Sequence, residues 1–556
     1  MEFEQKAEEK KMSMSKNIAR LAVTAGLTAA LSFGGVMAPV SMAFAAEANG
    51  SVTIGKALGN DTEFMGYKIF DADVAKDENG QTLVSNIAWA NDKVGAAVKK
   101  AIEEFDTGAT IATAQDAADW ISNNVMHTGE TTSVASDSAA YKIAAAVAKV
   151  TGLDDSSDYA ATSNGVASNL SHGYWLFVTN ALTVAGTETA TAPIFAVVGD
   201  DPVSITEKTS IPTVDKQVRE GDAWGKVSDS YIGEEVEYKL TGSVASNIDT
   251  FTKYEYTFQD HLSVGLEAIK SSVNVTINDK VINGYTVGLV DTKNASGNLT
   301  GGQDLTISFS NLKDAAKAAG VTLTGGSKVV VTYKAKLTDK AEYTATGNTN
   351  DVKLVYSNNP MTSDTGTSTS KRVTDHVFRL DVTKVEKDNE GQKLEATFQV
   401  KMTKEGGKEL KDNRWLTQTG GITDKEEKAG KFTTSKGADK IYIPGLVAGT
   451  YEITECNTPA GYNTLAPFTI TVDPTYDENG TLTGLDVTPS NTEMVTPSTT
   501  NDATIPVTIK NKKGSGLPLT GLNGVTFTWI AGGAVLCIGV AHLIRSRKQA
   551  EESEQE

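Results

Sequence analysis

From residue 329 to 337 every second side chain is apolar (Val329, Val331, Tyr333, Ala335, Leu337), and Val352, Leu354 and Tyr356 repeat the pattern. Successive side chains of a strand point to opposite faces, so these runs predict strands with one face in a core and one in water. Clusters of Ser, Thr, Gly and Asn separate such runs through most of the chain after about residue 200. This pattern predicts an all-β chain of tandem antiparallel sandwiches. The Ser/Thr-rich stretch 362–370 reads as a domain boundary, with a further domain starting near Phe378.

The segment from about residue 46 to 205 is mixed. Val94, Val98, Ile102 and Phe105 recur at helical spacing, and the Ala-rich stretch 139–150 also reads as helix. Strands are expected at Tyr67-Lys68-Ile69 and at Tyr174-Trp175-Leu176-Phe177-Val178. The expectation is a β-sandwich carrying a helical insertion. A length of 556 residues accommodates roughly three or four domains.

With 70 acidic against 51 basic residues, the net charge is −19, which argues against a nucleic-acid partner. The excess acid reads as a solvated, self-repelling surface. The spacing of a calcium loop is missing, five histidines offer no metal cluster, and no cofactor is expected. The two cysteines are Cys456 and Cys537, and the second lies inside an apolar run, so they do not form a structural disulfide. Neither hydrolase nor metalloprotease signatures occur, and Cys456 lacks a nucleophile motif. The chain is therefore not expected to be an enzyme acting on an external substrate.

The two ends read as export and retention signals. Lys10, Lys11, Lys16 and Arg20 precede an apolar stretch over about 21–40, followed by Ala43-Phe44-Ala45-Ala46. This predicts a signal peptide over 1–45, cleaved just after Ala45 or Ala46. Its acidic opening is unusual, and translation starting at Met12 or Met14 would remove it. Near the other end stands Leu517-Pro518-Leu519-Thr520-Gly521, then a mostly apolar stretch over 525–544, then Arg545, Arg547 and Lys548. The stretch is long enough to span a bilayer, and the basic residues hold its end in the cytoplasm. In this order the three parts resemble the cell-wall sorting signal of sortase substrates. The resemblance implies cleavage between Thr520 and Gly521, transfer of the Thr520 carboxyl to an amine, and a membrane helix used only by the precursor. An exported chain without disulfides must find rigidity by other means.

Val382-Thr383-Lys384-Val385, then Leu394-Glu395-Ala396-Thr397-Phe398, Gly449-Thr450-Tyr451-Glu452-Ile453-Thr454-Glu455, Pro459-Ala460-Gly461-Tyr462 and Val507-Thr508-Ile509-Lys510-Asn511 follow in order. Together they resemble the Cna-B-type domain of Gram-positive surface proteins, an Ig-like sandwich that forms an internal isopeptide bond. Leu394-Glu395-Ala396 departs from the family's usual Leu-x-Gly-Ala without touching a reacting group. On this resemblance Lys384 is the nucleophile, Asn511 the acceptor and Glu455 the proton shuttle. The residue types suit that chemistry. A buried lysine is more readily neutral and nucleophilic, and a buried acid can donate a proton to the amide while taking one from the amine.

Upstream, Pro212-Thr213-Val214-Asp215-Lys216, Tyr256-Thr257-Phe258-Gln259-Asp260 and Asn350-Asp351-Val352-Lys353-Leu354 resemble the isopeptide-forming D2 domain of fimbrial backbone subunits. The resemblance makes Lys216 the nucleophile, Asp260 the acid and Asn350 the acceptor. Asn348 lies two residues earlier with the same facing and is the rival acceptor. No third set of this kind stands out in the first domain.

The expected division is 46–205, 206–370, 371–514 and a sorting segment 515–556. In sortase-assembled pili a lysine near the end of the N-terminal domain receives the threonine of the next subunit, and Lys208 occupies that place. Ile205-Thr206-Glu207-Lys208 stands where Tyr-Pro-Lys-Asn is usual, and Glu207 would help deprotonate or position the amine. The resemblance implies a backbone pilin, joined head to tail through Thr520 and Lys208, whose partners are a sortase, like subunits and peptidoglycan. A monomeric wall-anchored adhesin with a host ligand would keep both internal bonds and have no use for Lys208.

Overall fold

The computed structural model describes residues 50–514, apart from 56–61, 78–79, 81, 125–137, 154–155, 185, 208, 295, 438–439 and 499–501. The signal peptide, the sorting motif Leu517 to Gly521, the apolar stretch 525–544 and Lys208 lie outside the described residues. Among the described residues no helix is long and apolar enough to cross a membrane. The described residues are mainly β-sandwich in three successive parts, the N-terminal one with two hydrophobic cores and the middle and third with one each.

In the N-terminal part, Phe64–Lys76 is the central strand of a sheet with Thr82–Trp89 on one side and Gly173–Thr179 then Ile194–Val198 on the other. A smaller sheet sets Gly50–Gly55 between Val166–Leu170 and the parallel strand Val203–Thr206. Helices Asp92–Phe105, Ala114–Asn124 and Ala139–Val147 follow Thr82–Trp89 as an insertion. The first starts where the Asn91 side chain accepts from Val94 N at 2.9 Å, and its buried face is Val94, Val98 and Ile102. Every residue of Gly173–Thr179 is buried. Tyr174, Leu176 and Val178 pack with the helices, whereas Trp175 and Phe177 pack with the small sheet. Cover on both faces explains why this strand reads as a continuous apolar run rather than an alternation.

The middle sandwich pairs a sheet containing Val214–Glu220, Glu235–Ser243, Lys328–Leu337 and Leu266–Ile277 with one containing Lys371–His376, Asn348–Ser357, Tyr256–Leu262, Leu299–Phe309 and Thr286–Lys293. In Lys328–Leu337 the inward residues are Val329, Val331, Tyr333, Ala335 and Leu337, the alternating set seen in the sequence. Lys371–His376 pairs with Asn348–Ser357, so the middle sheet continues to His376, six residues past the Ser370 boundary.

The third sandwich begins with Phe378–Glu386, which runs parallel to Thr504–Asn511 and antiparallel to Ile441–Leu446. Its second sheet is built from Lys408–Leu416, Thr397–Glu405, Gly449–Asn457, Phe468–Tyr476 and Leu482–Pro489. The middle and third sandwiches touch directly. Ile232 N donates to Gly420 O at 3.1 Å, Leu482 N to Ala345 O at 2.9 Å, and Ala448 N to the Asp229 carboxylate.

Candidate functional site

Two buried lysines lie in the middle and third sandwiches, each against a carboxyl group and an asparagine. The strand alternation places them. Val214, Lys216 and Val218 point inward from Val214–Glu220, and Asp260 and Asn350 point inward from the facing sheet. Asp260 pairs across the ladder with Val352, and Leu262 pairs with Asn350. The acid and the amide are therefore diagonal neighbours on one face.

Lys216, Asp260 and Asn350 are all essentially excluded from water. The Lys216 ammonium contacts Asp260 Oδ1 and lies 2.9 Å from Asn350 Oδ1. Tyr333, from the sheet that carries Lys216, joins them: its hydroxyl donates to Asp260 Oδ2 at 2.5 Å and accepts from Asn350 Nδ2 at 2.7 Å. The Tyr333 ring stacks on Tyr238 with centroids 5.3 Å apart. Loss of hydration pushes the lysine downward from its ordinary pKa and the aspartic acid upward, against their mutual attraction. Both shifts favour the neutral amine beside the neutral acid. Burial likewise holds the Tyr333 phenol well above its usual range, so it keeps its proton.

Asn348 shares the inward face and is also fully buried, but it serves the backbone. Its Oδ1 accepts from Glu342 N at 2.9 Å, and its Nδ2 donates to Asp375 O at 3.2 Å. Among the described residues no hydrogen bond joins it to Lys216.

The third centre is built differently. Lys384 and Asn511 belong to adjacent parallel strands of one sheet, with Lys384 level with Ile509 and Asn511 two residues further on, on the same face. Glu455 comes from the facing sheet. The lysine and glutamate side chains are fully covered. Lys384 Nζ touches Asn511 Oδ1 and lies 3.2 Å from Glu455 Oε1. Asn511 Nδ2 lies 3.0 and 3.1 Å from the two glutamate oxygens and 3.0 Å from Asn463 O. Leu465 N donates to Glu455 Oε2 at 2.8 Å and holds the carboxyl in place. Burial lowers the Lys384 pKa to about 8, although Glu455 pulls it upward.

Lys216, Asp260 and Asn350 thus meet in one cluster and Lys384, Glu455 and Asn511 in the other, while Asn348 lies outside both. Tyr333 was legible in sequence only as an inward strand residue. Its role as the bridge between Asp260 and Asn350 depends on the spacing of two sheets, which a linear pattern does not carry. In the N-terminal part Lys68 is buried, but its ammonium contacts Asp71 and lies 2.8 Å from Ser171 Oγ, and no asparagine side chain joins it among the described residues.

Among the solved structures, the chain is similar to the T6 backbone pilin of serotype M6 Streptococcus pyogenes, at 16% identity and a TM-score of 0.46, over 84% of this chain and 98% of that one. It is similar to the major pilin SpaA of Corynebacterium diphtheriae at 15% identity and a TM-score of 0.46, over 84% of this chain and 100% of the other. Similarity to the full-length major pilin SpaD of Corynebacterium diphtheriae is 18% identity, with a TM-score of 0.43, over 84% and 98%. No curated protein matches the chain. Residues 378–486, which carry Lys384 and Glu455, match the family model of the SpaA prealbumin-like fold domain.

Proposed function

We propose that the chain is a structural subunit of a covalent cell-surface pilus, hardened by two internal lysine–asparagine isopeptide bonds. The observation that carries this reading is the pair of dry clusters in which a lysine amine, a carboxyl group and an asparagine amide meet. An ordinary buried ion pair does not call for an asparagine at the amine, twice, in separate sandwiches. In the third sandwich the neutral Lys384 amine attacks Asn511 Cγ. A bond forms from Nζ to Cγ, the bond from Cγ to Nδ2 breaks, and Glu455 carries the amine proton to the departing nitrogen, which leaves as ammonia. Glu455 reaches both nitrogens, so one side chain can serve as base and acid. The reaction occurs once per molecule, and the fold supplies proximity, worth about 7–11 kcal/mol in well-oriented intramolecular reactions.

Each bond fastens an early strand of its sandwich to a late one, Lys216 to Asn350 and Lys384 to Asn511. Tension applied at the ends of the fibre would pass through these links. Polymerisation is assigned to a sortase that joins Thr520 of one subunit to Lys208 of the next, with the last subunit transferred to peptidoglycan. The test is an immunoblot of boiled cell-wall extracts from wild type and Lys208→Ala. A high-molecular-weight ladder that collapses to monomer in the mutant supports the backbone pilin and its acceptor. A ladder unchanged by the mutation sinks Lys208, and a wall-linked monomer in both strains sinks polymerisation in favour of a monomeric adhesin.

A further inference from the structure

The two lysine centres differ in how their acid meets the leaving group, and the difference assigns a role to Tyr333. Glu455 lies 3.0 Å from the Asn511 amide nitrogen. Asp260 makes no hydrogen bond to Asn350 among the described residues. The two are diagonal neighbours, about 7–8 Å apart along such a ladder, and the aspartate side chain is one methylene shorter than glutamate. Its Oδ1 faces the lysine and its Oδ2 faces the Tyr333 hydroxyl, which in turn lies 2.7 Å from Asn350 Nδ2.

Resting on the isopeptide reading above, we propose that Tyr333 is a catalytic residue of the middle sandwich, a proton relay from Asp260 to the ammonia that leaves Asn350. The steps balance as follows. The neutral Lys216 amine attacks Asn350 Cγ, which turns the planar amide into a tetrahedral centre and makes Nδ2 basic. Asp260, the neutral acid with its proton on Oδ2, takes the surplus proton from Nζ at Oδ1 as its own proton leaves from Oδ2. The phenol O–H turns from Asp260 to Nδ2 and gives up its proton, and Tyr333 recovers one from Asp260 at Oδ2. The bond from Cγ to Nδ2 breaks, ammonia departs, and acid and phenol end as they began. A phenol held well above its usual pKa suits a group that passes a proton and keeps none in deficit. The third sandwich needs no such relay, because Glu455 spans both nitrogens.

The experiment is a time course of the full chain after cell-free synthesis, read by intact mass and by fragmentation of the Lys216–Asn350 and Lys384–Asn511 cross-linked peptides. Wild type should lose the mass of two ammonias. Tyr333→Phe should form the third-sandwich bond at the wild-type rate and the middle bond about a hundredfold more slowly, the usual scale of general acid–base assistance. A middle bond formed at the wild-type rate in Tyr333→Phe overturns the relay. If that variant fails to fold, fluorotyrosine at position 333 alone keeps the shape and acidifies the phenol. A shifted middle rate against an unchanged third-sandwich rate then supports the relay, and two unchanged rates overturn it. Wild type with no Lys216–Asn350 bond overturns the underlying reading and the relay together, whereas a bonded wild type with an insensitive Tyr333 overturns the relay alone.

Discussion

Asn348 and Asn350 leave the same strand toward the same interior, yet Asn350 is the one whose carboxamide lies 2.9 Å from the Lys216 ammonium. Asn348 is held by Glu342 N and Asp375 O. The expected outcome is that Asn350→Ala abolishes the middle cross-link and Asn348→Ala leaves it intact, as read by intact mass and peptide mapping. Loss of a link closing a loop this long should cost about 4–5 kcal/mol on the chain-entropy scale used for disulfides. Thermal unfolding of Asn350→Ala should therefore begin well below wild type. A cross-link retained in Asn350→Ala would move the acceptor elsewhere.

The third-sandwich bond should form faster as the medium becomes more alkaline. Lys384 reacts only as the neutral amine, and burial brings its pKa down to about 8. Two pH units below that value, about one amine in a hundred is neutral. Refolding an unlinked chain at pH 6 and pH 8 should show the Lys384–Asn511 mass loss accelerating severalfold or more toward pH 8. Glu455→Ala should stop it at both, since the proton then has no carrier. A rate independent of pH would mean that amine deprotonation does not limit the reaction.

The alternating strands were legible in sequence because one face of each lies against a core. Val329 to Leu337 is such a case. Gly173–Thr179 was legible as a strand but not as one covered on both sides, since only the assembled helices and small sheet supply the second cover. The helix Ala114–Asn124 went unread because its buried face is largely alanine, Ala114, Ala117 and Ala118, with Ile121 as its one large apolar residue. The strand Lys371–His376 follows a Ser/Thr-rich stretch, and pairing with Asn348–Ser357 binds it to the sandwich before that stretch. At the lysine centres the partners on each strand follow from facing alone. What facing leaves out is distance, and distance brings in Tyr333.

The contact between the middle and third sandwiches should weaken as pH rises. Asp375 is 1% exposed; its Oδ1 accepts from Ser228 and Ser230, and its Oδ2 has no partner among the described residues. Burial pushes its pKa up to about 7, and the neighbouring Asp229 adds to the rise. Asp229 itself is raised to about 6 and Glu234 to about 8, both chiefly by burial and further by Glu405 of the third sandwich. Arg414 is paired with Glu405 and Asp412, and burial pushes the His376 pKa downward, which favours the uncharged ring. For an acid whose folded pKa is raised, the folded state binds more protons between the two pKa values, so stability falls as pH climbs through that window. The window runs from about pH 4 to about pH 8, at about 1.4 kcal/mol per unit for each group fully inside it. The melting temperature should drop from pH 5 to pH 8, and Asp375→Asn should flatten the slope. A melting temperature that rises over this range would contradict the assignment.

Gly445 is a backbone position on which the same contact depends. It adopts φ +83°, a region that L side chains rarely enter, and a Cβ there would lie 1.8 Å from Gly420 O. That carbonyl accepts from Ile232 N of the middle sandwich, so displacing it disturbs the junction as well as the turn. Gly445→Ala cannot relieve the overlap by a rotamer change, because the obstacle is backbone. The expected cost is about 1–3 kcal/mol from conformational strain, with further loss from the displaced hydrogen bond. The two internal bonds, remote from Gly445, should still form. Intact mass should therefore match the wild-type ammonia loss while the melting temperature falls and amide exchange at Ile232 speeds up. Unchanged exchange at Ile232 would show that the Gly420 turn absorbs the new methyl without moving the junction.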